Sequence, residues 1–321
     1  MGKKARRSPS VPSALAEGEP VPVVGGREPC PCGSGRRYRL CHGRAAREAG
    51  SRLVTRPFEG LTGECDWIAL RQVVPAATAT VTTTAAHGAL PVTVATVLPM
   101  AWPGLRRADG SVVLGLQTAT GGSGDASRDV AGALLQALRT EPGSAVEITD
   151  PDPDGPRLQD VLEGAPPFEV TVHPGFDFWL QEGQEMTGEV RESLEQANAS
   201  VVPTARLASV EAAYWCRVTD RCHLRWVLPH PEAAVLDGLA RLHAAGASGL
   251  GEGTRYVGSF RADGLLVPVW DLPVECEAAA LEAPAKEFAA RLDEAMAAVT
   301  PLTPDERRAR AGVVSRQVTL R

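Results

Sequence analysis

The 321-residue sequence predicts an α+β protein: a small N-terminal module closed by cysteine and histidine side chains, then a mixed α/β body with antiparallel sheets. Three observations carry this reading. Cys30, Cys32, Cys41 and His42 crowd into a thirteen-residue stretch. Alternating β-branched runs are interleaved with segments whose apolar residues recur every three or four positions, the periods of strand and helix. An Asp-Gly turn, a strand and a helix also occur in that order twice, beginning at Asp109-Gly110 and at Asp263-Gly264.

Residues 1–27 are basic at first, then rich in Pro, Ser, Gly and Glu, and such a segment is expected to be disordered. The module follows at about 28–46. Its pattern is Cys-x-Cys, eight residues, then Cys-His. The single intervening residue lets Cys30 and Cys32 turn toward one ion, and Gly33 and Gly35 permit the positive-φ backbone of so tight a turn. The run from Ser34 to Leu40 is expected to return on one or two helical turns, delivering Cys41 and His42 to the other side. Three thiolates and one imidazole make a closed tetrahedral zinc site, structural rather than catalytic. A stretch this short and polar has little core of its own, which couples its folding to the metal. One structural Zn2+ per chain is therefore the expected cofactor, with another thiophilic metal as the main alternative. Disulfides would need an oxidising compartment. A redox dithiol would read Cys-x-x-Cys beside a βαβ unit, which is absent.

The residues Cys30, Cys32, Gly33, Ser34, Gly35, Tyr38, Cys41, His42 and Gly43 together resemble the SEC-C motif, the zinc module found at the C-terminus of the SecA translocase motor and in many unrelated bacterial proteins. The resemblance covers about fifteen residues. It implies a docking element, because in the motor the module contacts a chaperone and the ribosome. Arg36, Arg37 and Arg39 stand where that family usually carries lysines, which keeps the charge and changes the donor geometry. With Tyr38 they form the expected partner-binding set.

The body is expected over 55–300. Asp66 to Val74 reads as a short amphipathic helix with Asp66 as N-cap and Pro75 as its stop. Thr78–Thr84 and Pro91–Leu98 read as strands. Arg107–Gly110 is a turn before a strand over Ser111–Thr118, and a helix spans Ala126–Thr140 with Val130, Leu134, Leu135 and Leu138 on one face. Phe168–His173 reads as a strand, Glu182–Asn198 as an acidic helix, and Ser209–His230 as two strands. Pro231–Ala245 forms a helix that buries Leu236, Leu239 and Leu242, and Arg255–Phe260 another strand. The second Asp-Gly turn leads to a strand over Leu265–Asp271 and a helix over Ala283–Ala298. Units at about 66–140 and 209–298 can thus be read as two duplicated lobes, with chance as the rival for so short a match. The charged tail, 301–321, is expected to be flexible. The wording of Glu195–Thr204, Glu211–Trp215 and His223–Val227 resembles an uncharacterised actinobacterial family carrying the same N-terminal zinc module.

Charge is unevenly spread. Residues 1–50 hold ten Lys/Arg against four Asp/Glu, a surplus of +6, and the remainder carries −12. A polyanionic partner would meet the basic head. The chain contains only Lys3, Lys4 and Lys286, so no Walker-type phosphate loop can be written. The N-terminus lacks the apolar core of a signal peptide. The longest uncharged run, Val73–Leu105, is broken by four prolines, which argues against a membrane span. A cytoplasmic setting with reduced cysteines follows.

Other constellations are weaker. Asp150–Gly155 imitates the start of a calcium loop, but Val161 stands where a bidentate Glu is required, so an acidic turn is expected. Cys216, Cys222 and His223 match no zinc spacing, and buried strand cysteines are usually inert. His173, Asp177 and the neighbouring aromatics either line a cleft or close the core. Cys65 with His87 lacks any sign of an activated nucleophile. The reading is a zinc-binding adaptor whose module docks on a protein or ribonucleoprotein partner: a ribosome, a translocase or a chaperone. The alternative is an enzyme with an unidentified site in 55–300, for which the module is only a targeting tag. Whether the protein is an enzyme stays open, with no catalytic set found. Nucleic-acid binding through the same basic residues would be weak and salt-dependent.

Overall fold

The computed structural model describes residues 21–22, 24, 27–42, 44, 53–118, 122–147, 152, 154–164, 167–180, 188–315 and 317–319. Of the tail expected to be disordered over 1–27, all but residues 21–22, 24 and 27 lies outside them. The chain divides into two units, Met1–Val54 with Ser123–Asp125, and Thr55–Gly122 with Ala126–Arg321.

The larger unit opens on helix α1 (Glu64–Gln72). Its N-cap is Gly63 at φ 72°, not Asp66, which lies inside the first turn and is 2% exposed. A Cβ on Gly63 would fall 2.6 Å from Phe168 Cβ, so only glycine fits. Strands β1 (Ala77–Thr82) and β2 (Pro91–Ala95) pair antiparallel. A hairpin of β3 (Gly104–Arg106) and β4 (Val112–Gly115) follows, with Gly110 at φ 86° in its turn. Strand β3 was not anticipated, because three residues are too few to show alternation. Helix α2 (Ala126–Ala137), β5 (Ser144–Ala145), the short α3 (Leu158–Val161) and β6 (Val170–Val172) complete this lobe, whose sheet runs β5-β3-β4-β2-β1-β6. One sheet face, with Val92, Val94, Val112 and Leu114, joins α1 and the Val130, Leu134 and Ala137 stripe of α2 in a single core. The other carries Ala95, Leu98 and Val113 against Trp102, Phe178 and Trp179.

Helix α4 (Gly188–Ala199) leads to the second lobe, and residues 182–187 of the acidic helix expected there lie outside the described residues. Strands β7 (Thr204–Arg206), β8 (Ala213–Val218) and β9 (Arg221–Trp226) form a meander. Helix α5 (Glu232–Ala244) precedes the hairpin β10 (Arg255–Ala262) and β11 (Leu265–Leu272), and α6 (Glu282–Ala297) follows it. The sheet order is β12-β10-β11-β9-β8-β7. Its central order, β10-β11-β9-β8, matches β3-β4-β2-β1 of the first lobe, but β2 and β4 are parallel whereas β9 and β11 are antiparallel. The connections differ accordingly. A single 3-10 turn, Pro99–Ala101, joins β2 to β3, while α5 makes the crossover between the like-directed β9 and β10.

Alternation along β9 decides what each face of the second sheet meets. Cys222, Leu224 and Trp226 point into a core with Trp270, Phe288, Leu239 and Val313, and Arg221, His223 and Arg225 take the opposite face. At one end of that opposite face Tyr214, Leu265 and Val267 enter the core of the first lobe. The C-terminal segment is not a loose tail. Helix α7 (Pro304–Ser315) packs on α5, burying Val313 and pairing Arg310 with Asp237 at 2.5 Å, and β12 (Gln317–Thr319) runs parallel to β10. A single buried valine among charges is too faint a stripe to announce that helix.

Candidate metal centre

The N-terminal stretch is shaped by backbone bonds. Cys30 N donates to Arg36 O at 2.8 Å, Gly33 N to Cys30 O at 3.3 Å, and Tyr38 N to Glu28 O at 2.8 Å. Gly33 (φ 75°) and Gly35 (φ 69°) sit in the left-handed region that this reversal requires. The return path is tighter than the one or two helical turns expected. Pro29 bridges Arg37, and one 3-10 turn, Tyr38–Leu40, places Cys41 and His42 beside the first two cysteines.

The outcome is convergence. One ligand atom from each of Cys30, Cys32, Cys41 and His42 lies within 4.8 Å of every other. Cys30 Sγ is 3.3 Å and Cys41 Sγ 3.4 Å from His42 Nδ1, and Cys32 Sγ is 3.5 Å from Cys41 Sγ. A tetrahedron with metal–sulfur bonds near 2.3 Å and metal–nitrogen bonds near 2.0 Å has edges of about 3.5–3.8 Å, so the donor set and its spacing fit such an ion. The thiols are not alike. Burial pushes the Cys30 thiol up, whereas the Ser34 hydroxyl and amide bring Cys32 down to about 6, favouring the thiolate that a metal needs. Tyr38 is buried, Arg36 and Arg37 are exposed, and Leu40 is 58% exposed beside them. The sequence reading missed Leu40; its isolation among arginines was the available signal.

The weaker constellations do not assemble among the described residues. Cys222 is buried in the second core, while Cys216 and His223 face each other on the opposite side of the sheet. His173 Nε2 lies 2.7 Å from Thr78 Oγ1, and its ring contacts Phe178. Phe176 stacks on Trp179, whose Nε1 donates to Val97 O, so this cluster closes a core around Ala76 and Leu194. Cys65 is buried in α1 and pushed well up by that burial, and His87 belongs to the separate turn Ala85–His87. In the acidic turn, Asp152 Oδ1 accepts the Asp154 amide, and the rest of that stretch lies partly outside the described residues. No helix among the described residues is long and apolar enough to cross a membrane.

The model of a family of unknown function, DUF5926, matches residues 57–321. The chain belongs to that family. Ahead of the DUF5926 region the SEC-C motif matches residues 27–44. That segment is similar to the protein translocase subunit SecA of Polaromonas sp., 64% identical over 31 residues, which is 10% of this chain and 3% of SecA. The SecA of Ralstonia nicotianae is 50% identical over 42 residues, 13% of this chain and 4% of its own. That of Paraburkholderia phymatum is 59% identical over 34 residues, 11% and 4%. The chain thus spans only a few per cent of these relatives' length. No solved structure matches it. Resemblance to the SecA module points to a protein-interaction role for the N-terminal segment, while the DUF5926 body has no assigned activity.

Proposed function

We propose that this protein is a zinc-dependent adaptor: Cys30, Cys32, Cys41 and His42 hold one structural zinc ion, and the folded module docks on a protein or ribonucleoprotein partner such as a ribosome, a translocase or a chaperone. The observation that carries the reading is the meeting of four soft or borderline ligand atoms within one coordination sphere, in a segment similar to SecA. All four positions are protein ligands, so the ion has no site left for substrate and acts by holding shape. Reduced thiols in such a site belong in a reducing compartment, which makes the cytoplasm the setting.

The exposed Arg36 and Arg37 supply the contact charge together with Arg39, whose side chain lies outside the described residues, and Leu40 adds an exposed apolar tip. Tyr38 serves from inside, by packing the module. Its burial disfavours nucleic-acid binding through base stacking, which needs an exposed ring. The alternative, an enzyme in the body with the module as a tag, gains nothing from His173, Asp177, Cys222 and His223: His173 packs on Phe178 in the aromatic cluster, and Cys222 and His223 take opposite faces of β9.

The test uses the full chain and a Cys30→Ser/Cys32→Ser variant. Elemental analysis is expected to find one zinc per wild-type chain and less than about a tenth of that in the variant. Co-sedimentation with ribosomes, and capture on immobilised translocase motor, should follow the zinc. Wild-type protein purified without chelator yet free of zinc would sink the metal assignment. Binding that survives in the zinc-free variant would sink the docking role.

A further inference from the structure

We infer that the body carries a binding site for a small hydroxy- or amino-carboxylate, in the cavity where the end of α1 and the loops of the first lobe meet the polar face of the second sheet. The cavity holds about 350 Å³ and is lined by Arg71, Gln72, Gln117, Thr204, Cys216 and Arg225, among others. That volume is at the small end of ligand sites.

Charge selects the ligand's sign. Arg225 projects from β9 on the face away from the core, half-buried, and makes no ion pair or side-chain hydrogen bond among the described residues. Burying part of an uncompensated guanidinium is costly, so such a group ordinarily meets a counter-ion. The carboxylates nearby are already engaged. Asp263 takes Arg71 at 2.9 Å and Gln72 at 3.3 Å, and Asp271 takes Arg255 at 2.8 Å with His223 Nδ1 3.1 Å away, off the line of a good hydrogen bond. The cavity is left with one positive charge. That suits a carboxylate group, which a guanidinium fork grips in two places.

Acceptors select the rest. Gln117 Nε2 gives both its hydrogens to Leu70 O and Val74 O, at 2.9 and 3.2 Å, leaving Oε1 as a free acceptor. Thr204 Oγ1 donates to Val202 O at 2.9 Å and likewise keeps its lone pairs. An ammonium alongside the carboxylate can donate to both acceptors and a hydroxyl to one of them; a bare carboxylate can donate to neither. Cys216 contributes wall rather than chemistry, since burial pushes its thiol up against the pull of Arg225.

The experiment is saturation-transfer NMR on the full-length protein with glycolate, L-serine, acetate and inorganic phosphate as probes, followed by titration. Glycolate or L-serine should bind, and about fivefold or more tightly than acetate, the difference one hydrogen bond makes. Arg225→Gln should weaken that binding at least tenfold, roughly the worth of a charge-assisted bond. Arg308→Gln, exposed on α7 and away from the cavity, should leave it unchanged. Should Arg225→Gln fail to fold, Thr204→Val decides, by erasing the preference over acetate. Silence from both donor-bearing probes in the wild type overturns the inference. So does binding indifferent to Arg225 and Thr204, or binding of phosphate alone.

Discussion

Asp66 shows how one residue's role depends on what lies far along the chain. Its carboxylate accepts two hydrogen bonds from Arg206, at 3.1 and 2.9 Å, and one from the Tyr214 hydroxyl at 2.5 Å. A carboxylate so enclosed is tolerable only because every partner is charged or a donor. The Tyr214 hydroxyl is driven well above its ordinary range, by burial first and by the Asp66 charge next, so it stays a donor. Asp66→Asn should cost about 3–5 kcal/mol, because it leaves Arg206 half-buried without its counter-charge. Tyr214→Phe should cost about 1–3 kcal/mol, the penalty for leaving one acceptor unmet. Urea unfolding of both variants checks the order, and equal or negligible losses would contradict the network. In the sequence Asp66 resembled a helix cap, since an Asp before an apolar run has that meaning locally. The partners that redefine it are 140 and 148 residues away. Cys30, Cys32, Cys41 and His42 were legible for the opposite reason: all their partners are local.

Among the elements, the start of α6 is tied to the loop between β7 and β8 by one side chain. Glu282 accepts the amides of Ala208, at 2.9 and 3.1 Å, and of Ser209 at 2.7 Å. Burial alone would raise its pKa, but those amide bonds outweigh it and hold the carboxyl below its ordinary value. The linkage sign follows. The stabilisation is complete above the unfolded pKa of about 4.3 and is lost as pH falls through the lower folded value. The stability gap between wild type and Glu282→Gln should be present at pH 7 and close as pH falls below about 4, read from urea midpoints at each pH. A gap that stays constant with pH would refute the assignment. Long elements such as α2, α5 and α6 were readable because their apolar stripes are wide. Strand β3, the helical return of α7 and the cap of α1 were not, because each is defined by contacts rather than by its own period.

Across the whole body, the two lobes are not separate beads, because Ala212, Tyr214, Val227, Leu265 and Val267 of the second lobe pack in the core of the first. Leu265→Ala should destabilise by about 2–5 kcal/mol, the usual range for a buried leucine truncation. Fluorescence from Trp67 in the first lobe and Trp270 in the second, each isolated by substituting the other tryptophans, should report one shared unfolding midpoint that this variant moves. Two midpoints, only one of them displaced, would show the lobes to be independent. By itself the sequence determined the Cys/His cluster that could hold a metal, the α+β class and the longer elements, since each rests on spacing or periodicity within a few residues. Only the tertiary structure decided the partners of Asp66, the placement of Arg225 at a cavity, the docking of α7, and the reversed second hairpin. Burial and pairing are set by residues distant along the chain, and no local pattern encodes which face of a strand will meet a neighbour and which will be left open around a charge.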